Sequence, residues 1–190
     1  MTRHERSNDL AVVIPLKRVA DAKQRLRRAG TLNVDALVWR LARGVIEATR
    51  TRPTFVVTED ADVAAFAASL AVTSFVTSAT TLSDAVADAY TSLGGSFERL
   101  LIVHADLEDP TGLGDFEPDA GVTLVADRHG LGTNVLALPT GRDFRFGYGA
   151  NSLHHHRREA QRLGLACTVI TGSPWSWDVD VVEDLRPNST

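Results

Sequence analysis

Short apolar runs alternate with amphipathic stretches along most of the chain. The run LAVVIPL (10–16) is continuously apolar, which predicts a strand buried on both faces. Between 33 and 50, Val34, Leu37, Val38, Leu41, Val45 and Ile46 recur at helical spacing, with Asn33 as the expected N-cap. The next strand is TFVVT (54–58), opened by Pro53; a helix over 60–70 and a strand over 72–76 follow. The pattern then predicts a helix over 83–93 capped by Ser83, and a strand over 99–104. Two further strands, 121–127 and 133–139, flank the polar, glycine-containing turn RHGLG. A helix over 151–164 closes at Gly164, and strands over 166–171 and 177–181 complete the series. Residues 111–121 read as the loosest loop. Strands and helices in alternation imply a mostly parallel sheet covered on both faces, an α/β sandwich formed as one domain over residues 1–190.

In such sheets ligands bind beyond the carboxyl ends of the strands, so the polar residues after each apolar run carry the functional signal. The first run ends at Pro15 and is followed by Lys17, Lys23 and Arg25. Lys17 and Lys23 are the only lysines in the chain. Other runs end at His104 and Asp106, and at Asp127, while Asp178 and Asp180 sit in the last one. Cations therefore leave one strand end and carboxylates leave others. A nucleoside triphosphate with a divalent metal needs this division: Lys and Arg neutralise phosphate oxygens, and carboxylates hold a hard cation. Asp178 and Asp180 have the period-two spacing that puts both on one face of a strand, where like charges repel unless a cation or base intervenes. The run His154–His156 looks like a metal tag, but successive helical residues point about 100° apart and cannot converge on one ion. One histidine contacting a substrate anion is the better expectation.

Composition narrows the classes. A net charge of −4 gives no reason to expect nucleic acid or an anionic membrane as partner. The single cysteine, Cys167, excludes an internal disulfide, fits a reducing cytosol, and is expected to be a small buried residue. The opening MTRHERSNDL lacks the apolar core of a signal peptide, and no apolar run approaches the ~20 residues of a membrane span; a cytoplasmic protein is expected. There is no G-x-x-x-x-G-K-[ST], no G-x-G-x-x-G after the first strand, no G-x-S-x-G and no H-E-x-x-H.

Four segments in order, VIPLKRVADAKQRL, DRHGLGTNVLALP (127–139), FRFGYGANSLHHH (144–156) and WDVDVVEDL (177–185), resemble the 2-phospho-L-lactate or phosphoenolpyruvate guanylyltransferases of deazaflavin coenzyme F-420 biosynthesis. The matches run from residue 11 to 185. The resemblance implies a three-layer nucleotidyltransferase fold with a mostly parallel mixed sheet, of the nucleotide-diphospho-sugar transferase type. It implies that a phosphorylated three-carbon acid attacks the α-phosphorus of GTP and pyrophosphate leaves. Lys17, Lys23 and Arg25 would cradle the triphosphate as catalytic groups, with Pro15 and Ser83 also near the nucleotide; Ser83 stands where the family has Asn. Asp106 and Asp180 would hold Mg²⁺. Thr133 and Ser152 would hold the acid's phosphate and carboxylate, together with a glycine that is either Gly149 or Gly147. The acid could be 2-phospholactate, phosphoenolpyruvate or 3-phosphoglycerate. Candidate protein partners are a second copy, as a homodimer, and the downstream transferase that uses the activated acid. Two other readings stay open: a nucleotidyltransferase of this fold acting on a phosphosugar or molybdopterin, and a non-catalytic nucleotide-binding member.

Overall fold

A computed structural model describes residues 9–185 of the chain; residues 1–8, which hold most of the polar N-terminal stretch, and 186–190 lie outside the described residues. The strands are β1 (Leu10–Pro15), β2 (Thr54–Thr58), β3 (Thr73–Val76), β4 (Arg99–Val103), β5 (Val122–Ala126), β6 (Thr133–Pro139) and β7 (Cys167–Ile170). They form one sheet in the order β3-β2-β1-β4-β6-β5-β7. All neighbours are parallel except β6, which runs antiparallel to both β4 and β5. This reversal positions chemistry. Thr133, at the start of β6, comes to the same sheet edge as the carboxyl ends of β1, β4 and β5.

The central strands are mostly apolar, β1 at every position, because both of their faces are covered. Val12, Ile14, Leu101, Val103, Val125 and Val135 belong to one core, with α2 (Val34–Thr49) and α3 (Ala61–Ser69) packed over it. Ala11, Val13, Leu100, Ile102, Leu124 and Leu136 belong to the other, under α4 (Leu82–Leu93) and α5 (Ser152–Arg162). The result is the expected three-layer sandwich. No helix among the described residues is long and apolar enough to cross a membrane.

Several local expectations are corrected. Asn33 stands before α2 in the left-handed region (φ 56°) and makes no side-chain cap bond. Thr81, not Ser83, caps α4: its Oγ1 accepts from Asp84 N at 3.1 Å. Cys167 is exposed, because β7 is an edge strand with only part of its length covered. Residues 111–121 are pinned rather than loose. Arg52 donates to Gly114 O (2.8 Å) and Phe116 O (2.9 Å), and Gly114 lies so close to Ala48 O that a Cβ there would sit 2.5 Å from it.

The expected strand over 177–181 does not form. Its only ladder-like contact is an isolated bridge, Leu107 opposite Asp178. Two backbone hydrogen bonds make this clip, Glu108 N to Trp177 O (2.9 Å) and Val179 N to Asp106 O (3.1 Å). The N–H groups of Asp180 and Val181 then turn to the Asp184 carboxylate instead of a neighbouring strand.

The lysine segment has its own scaffold, which the apolar pattern did not reveal. A 3-10 turn (Val19–Asp21) leads to a short helix α1 (Gln24–Arg28). Leu26 is fully buried in the first core and ties α1 to the sheet. Arg27 closes the loop by donating to Ala22 O (3.0 Å) and Val19 O (2.8 Å).

Candidate active site

The carboxyl edge of the sheet opens into a cleft of about 780 Å³, within the range of small-molecule sites. Pro15, Lys17, Lys23 and Arg25 line one part of it, and Asp106, Asp178 and Asp180 another; Thr133, Gly149 and Ser152 also line it. Thus most of the residues singled out in the sequence meet in one cavity, although they are spread over 166 positions from 15 to 180.

Two of them do not reach the cavity wall. The Ser83 hydroxyl accepts a hydrogen bond from Tyr148 N (2.9 Å), so it anchors the 144–150 loop; Thr80, Thr81 and Leu82 line the cleft beside it. Gly147 is also absent from the wall. Its N–H donates to His156 Nε2 (3.2 Å), and a Cβ at this position would collide with the His155 ring. Gly149, with φ 129° and open space around it, is the glycine that faces the cleft.

The acidic group is built by the clip between 106–108 and 177–179. Asp106, Asp178 and Asp180 each offer a carboxylate oxygen, and these atoms all lie within 4.8 Å of one another. Asp178 is an addition to the expected pair. Asp127 also lines the cleft but stands outside this group; its Oδ1 accepts from Leu131 N (2.8 Å) and shapes the β5–β6 turn. Lys23 sits among the carboxylates. Its Nζ donates to Asp106 Oδ2 and to Asp180 Oδ1, the latter at 2.7 Å, and its side chain is only 7% exposed. Burial disfavours this ammonium, but the charges of Asp106 and Asp180 outweigh it, and the Lys23 pKa stands above the usual lysine value. For Asp106, burial pushes the carboxyl up, yet the neighbouring Lys23 prevails and holds it below the ordinary range. Asp178 goes the other way. Burial and the charge of Asp106 raise it, against the hydrogen bond that Asn134 Nδ2 donates to its Oδ1 at 3.1 Å.

This donor set fits a hard divalent cation. The ligands are all carboxylate oxygens, and the buried Asp106 Oδ1 has no hydrogen-bond partner within the protein. Lys17 and Arg25 are exposed on the cleft wall, and among the described residues neither is held in an ion pair.

A support that the sequence reading missed stands behind Asp180. The side chain of Asp184 is 1% exposed. Its Oδ2 accepts from Asp180 N (2.6 Å) and Val181 N (2.8 Å), and its Oδ1 pairs with Arg128, whose guanidinium lies 4.6 Å from the Trp177 ring centre. The signal was present in the chain as the last Asp of WDVDVVEDL. The histidine run behaves as helical geometry requires: His154 is exposed, His155 pairs with Arg145 O (2.8 Å), and only His156 is fully buried.

Sheet order, the single reversed strand and an acidic cleft at the carboxyl edge define a nucleotidyltransferase fold. A nucleotidyl transferase from Methanothermobacter superposes with a TM-score of 0.69 at 16% identity, covering 93% of this chain and 94% of that one. The chain belongs to the family described as "Guanylyl transferase CofC like", whose model matches residues 10–187. Among curated relatives, the phosphoenolpyruvate guanylyltransferase of Chloroflexus aurantiacus is 38% identical over 68 residues, 36% of this chain and 33% of that protein. The 3-phospho-D-glycerate guanylyltransferase of Phenylobacterium zucineum is 38% identical over 63 residues, 33% of this chain and 28% of that protein. The chain thus spans about a third of the length of these relatives.

Proposed function

We propose that this protein transfers GMP from GTP to a phosphorylated three-carbon acid, releasing pyrophosphate, as a cytoplasmic step of deazaflavin coenzyme F-420 biosynthesis. The observation that carries the reading is the meeting of Lys23 with Asp106, Asp178 and Asp180 in the cleft that Thr133, Gly149 and Ser152 also line. A phosphate oxygen of the acid forms a bond to the α-phosphorus, and the bond from that phosphorus to the oxygen bridging to the β-phosphorus breaks. The attacking group is already anionic, so no general base is required, and the protein contributes position and charge neutralisation. Lys17 and Arg25 take the triphosphate oxygens. Asp106, Asp178 and Asp180 hold Mg²⁺, which when bound neutralises charge on the phosphates. Thr133, Ser152 and the backbone at Gly149 receive the acid's two anionic groups, aided by the positive end of α5, which begins at Ser152. The curated relatives are named for two different acids, phosphoenolpyruvate and 3-phospho-D-glycerate, and both carry the phosphate and carboxylate that these groups suit.

The test is pyrophosphate release measured with each of four nucleoside triphosphates against phosphoenolpyruvate, 3-phosphoglycerate and 2-phospholactate, with Mg²⁺ present. Turnover with GTP and one acid is the expected result. Turnover only with another nucleotide or a different phosphorylated substrate would reassign the chemistry within the same fold, and nucleotide binding without turnover would remove it.

A further inference from the structure

His156, on α5, is fully buried, its ring bonded to Thr133 of β6 and to Gly147 of the 144–150 loop, and it touches none of the acidic residues by hydrogen bond. Its two ring nitrogens have different partners. Nε2 lies 3.2 Å from Gly147 N, and Nδ1 lies 3.1 Å from Thr133 Oγ1. A backbone N–H can only donate, so Nε2 must be the bare, accepting nitrogen. The ring proton of the neutral imidazole then sits on Nδ1 and donates to Thr133 Oγ1. A threonine hydroxyl has one proton. With its oxygen accepting from His156, that proton is turned elsewhere, and among the described residues no protein acceptor receives it. Thr133 lines the cleft.

The geometry points to His156 as the positioning residue that fixes the Thr133 hydroxyl as a hydrogen-bond donor toward the phospho-acid, a role that rests on the placement of the acid at Thr133 given above. The same ring couples that hydroxyl to the loop bearing Gly149, because its second nitrogen holds Gly147. One neutral side chain thereby sets both the polarity of a substrate contact and the position of the loop beside it. Protonation of Nε2 would break the hold on Gly147, since it would face one donor with another, while Nδ1–H would still donate to Thr133; burial holds the ring neutral, its pKa lowered to about 3. A hydroxyl left free to rotate could present its lone pairs to an anion, which is repulsive.

The first measurement needs no substitution. In protein labelled with ¹⁵N-histidine, the ring that stays neutral at pH 5 should show the Nδ1–H tautomer; the Nε2–H tautomer, usual for free neutral imidazole, would overturn the assignment. The second is steady-state kinetics with GTP and whichever of phosphoenolpyruvate, 3-phosphoglycerate and 2-phospholactate turns over best. Thr133→Val removes the hydroxyl, and His156→Gln keeps an acceptor for Gly147 N while removing the donor to Thr133. Each should raise KM for the acid about tenfold, the effect of losing one hydrogen bond to a charged group, with KM for GTP held within about twofold. The double variant should be no worse than Thr133→Val alone. His156→Asn, which restores a donor near the Nδ1 position, should recover part of the loss. Additive losses in the double variant would sink the coupling while leaving the acid site intact. An unchanged KM for the acid in Thr133→Val would remove both the coupling and the placement of the acid.

Discussion

At His156 the fold keeps a ring uncharged. Burial is the main cause, and the nearby His155 and His104 also oppose a positive charge, while Glu159 favours one too weakly to matter. A histidine in the unfolded chain titrates near ~6.5. Between that value and about 3 the unfolded state binds a proton that the folded state refuses. Stability therefore rises with pH across this window and is lost on acidification, by up to about 1.4 kcal/mol per pH unit from this group. Urea midpoints measured from pH 7 to pH 4.5 should fall in the wild type, with a shallower slope in His156→Gln. Asp184 acts at lower pH. Burial raises its carboxyl, but the N–H groups of Val181 and Asp180 and the Arg128 guanidinium win and depress it. Its contribution is present above the unfolded value of ~3.9 and is lost as pH falls through the folded one, so the two groups separate on the pH axis. Asp184→Ala leaves Arg128 and two backbone N–H groups without their acceptor; a loss of about 3 kcal/mol is expected in equilibrium denaturation. Arg128 and Asp184 lie 56 positions apart, and nothing in either local pattern announced that they pair behind Asp180.

The elements differ in how much the pattern could say about them. The interior strands were legible because a strand covered on both faces must be apolar at every position, and Val12 to Ile14 and Leu100 to Val103 have no other use. The stretch over 177–181 misled because alternating apolar and acidic residues have a strand's period, whereas here the alternation serves the clip. Val179 is buried in the first core, and Asp178 and Asp180 join the acidic group on either side of it. Helix α1 escaped because it is five residues long and anchored by one apolar side chain, Leu26. Backbone conformation is legible only where glycine marks it. At Gly121, just before β5, φ is 115° and an added Cβ would lie 2.5 Å from Ala166 O. Gly121→Ala is therefore expected to strain the β5–β7 junction, where Val122 N bonds Ala166 O (2.8 Å), and to cost about 2 kcal/mol. Calorimetry should show the lowered transition. An unaltered melting temperature would mean that the junction relaxes freely.

For the whole molecule, the clip and the lysine scaffold together determine how the cleft responds to its ligands. Without a metal ion, Lys23 already compensates two of the three clustered carboxylates, at Asp106 and Asp180, and Asp178 remains raised by burial and by the charge of Asp106. Mg²⁺ alone would have to displace a buried ammonium that is paired with both Asp106 and Asp180 and has no ion-pair partner beyond them among the described residues. With GTP present, the triphosphate offers that ammonium new oxygens while adding ligands to the cation. Binding of the two should therefore be strongly cooperative. A ligand at 100 times its dissociation constant stabilises the folded state by about 2.7 kcal/mol, and for a chain of this size each kcal/mol moves the melting temperature by roughly 2–4 °C. Mg²⁺ with GTP should raise the transition by about 5–10 °C, with most of the gain reversed by a chelator, while Mg²⁺ alone should move it little. Lys23→Met removes the internal cation. It should lower turnover tenfold or more, about 1.4 kcal/mol in the barrier, yet let Mg²⁺ alone stabilise the protein, because three crowded carboxylates then lack any counter-charge. If Mg²⁺ without nucleotide stabilised the wild type as much as it did Lys23→Met, the lysine would not be competing with the metal for the acidic group, and the cooperativity would need another origin.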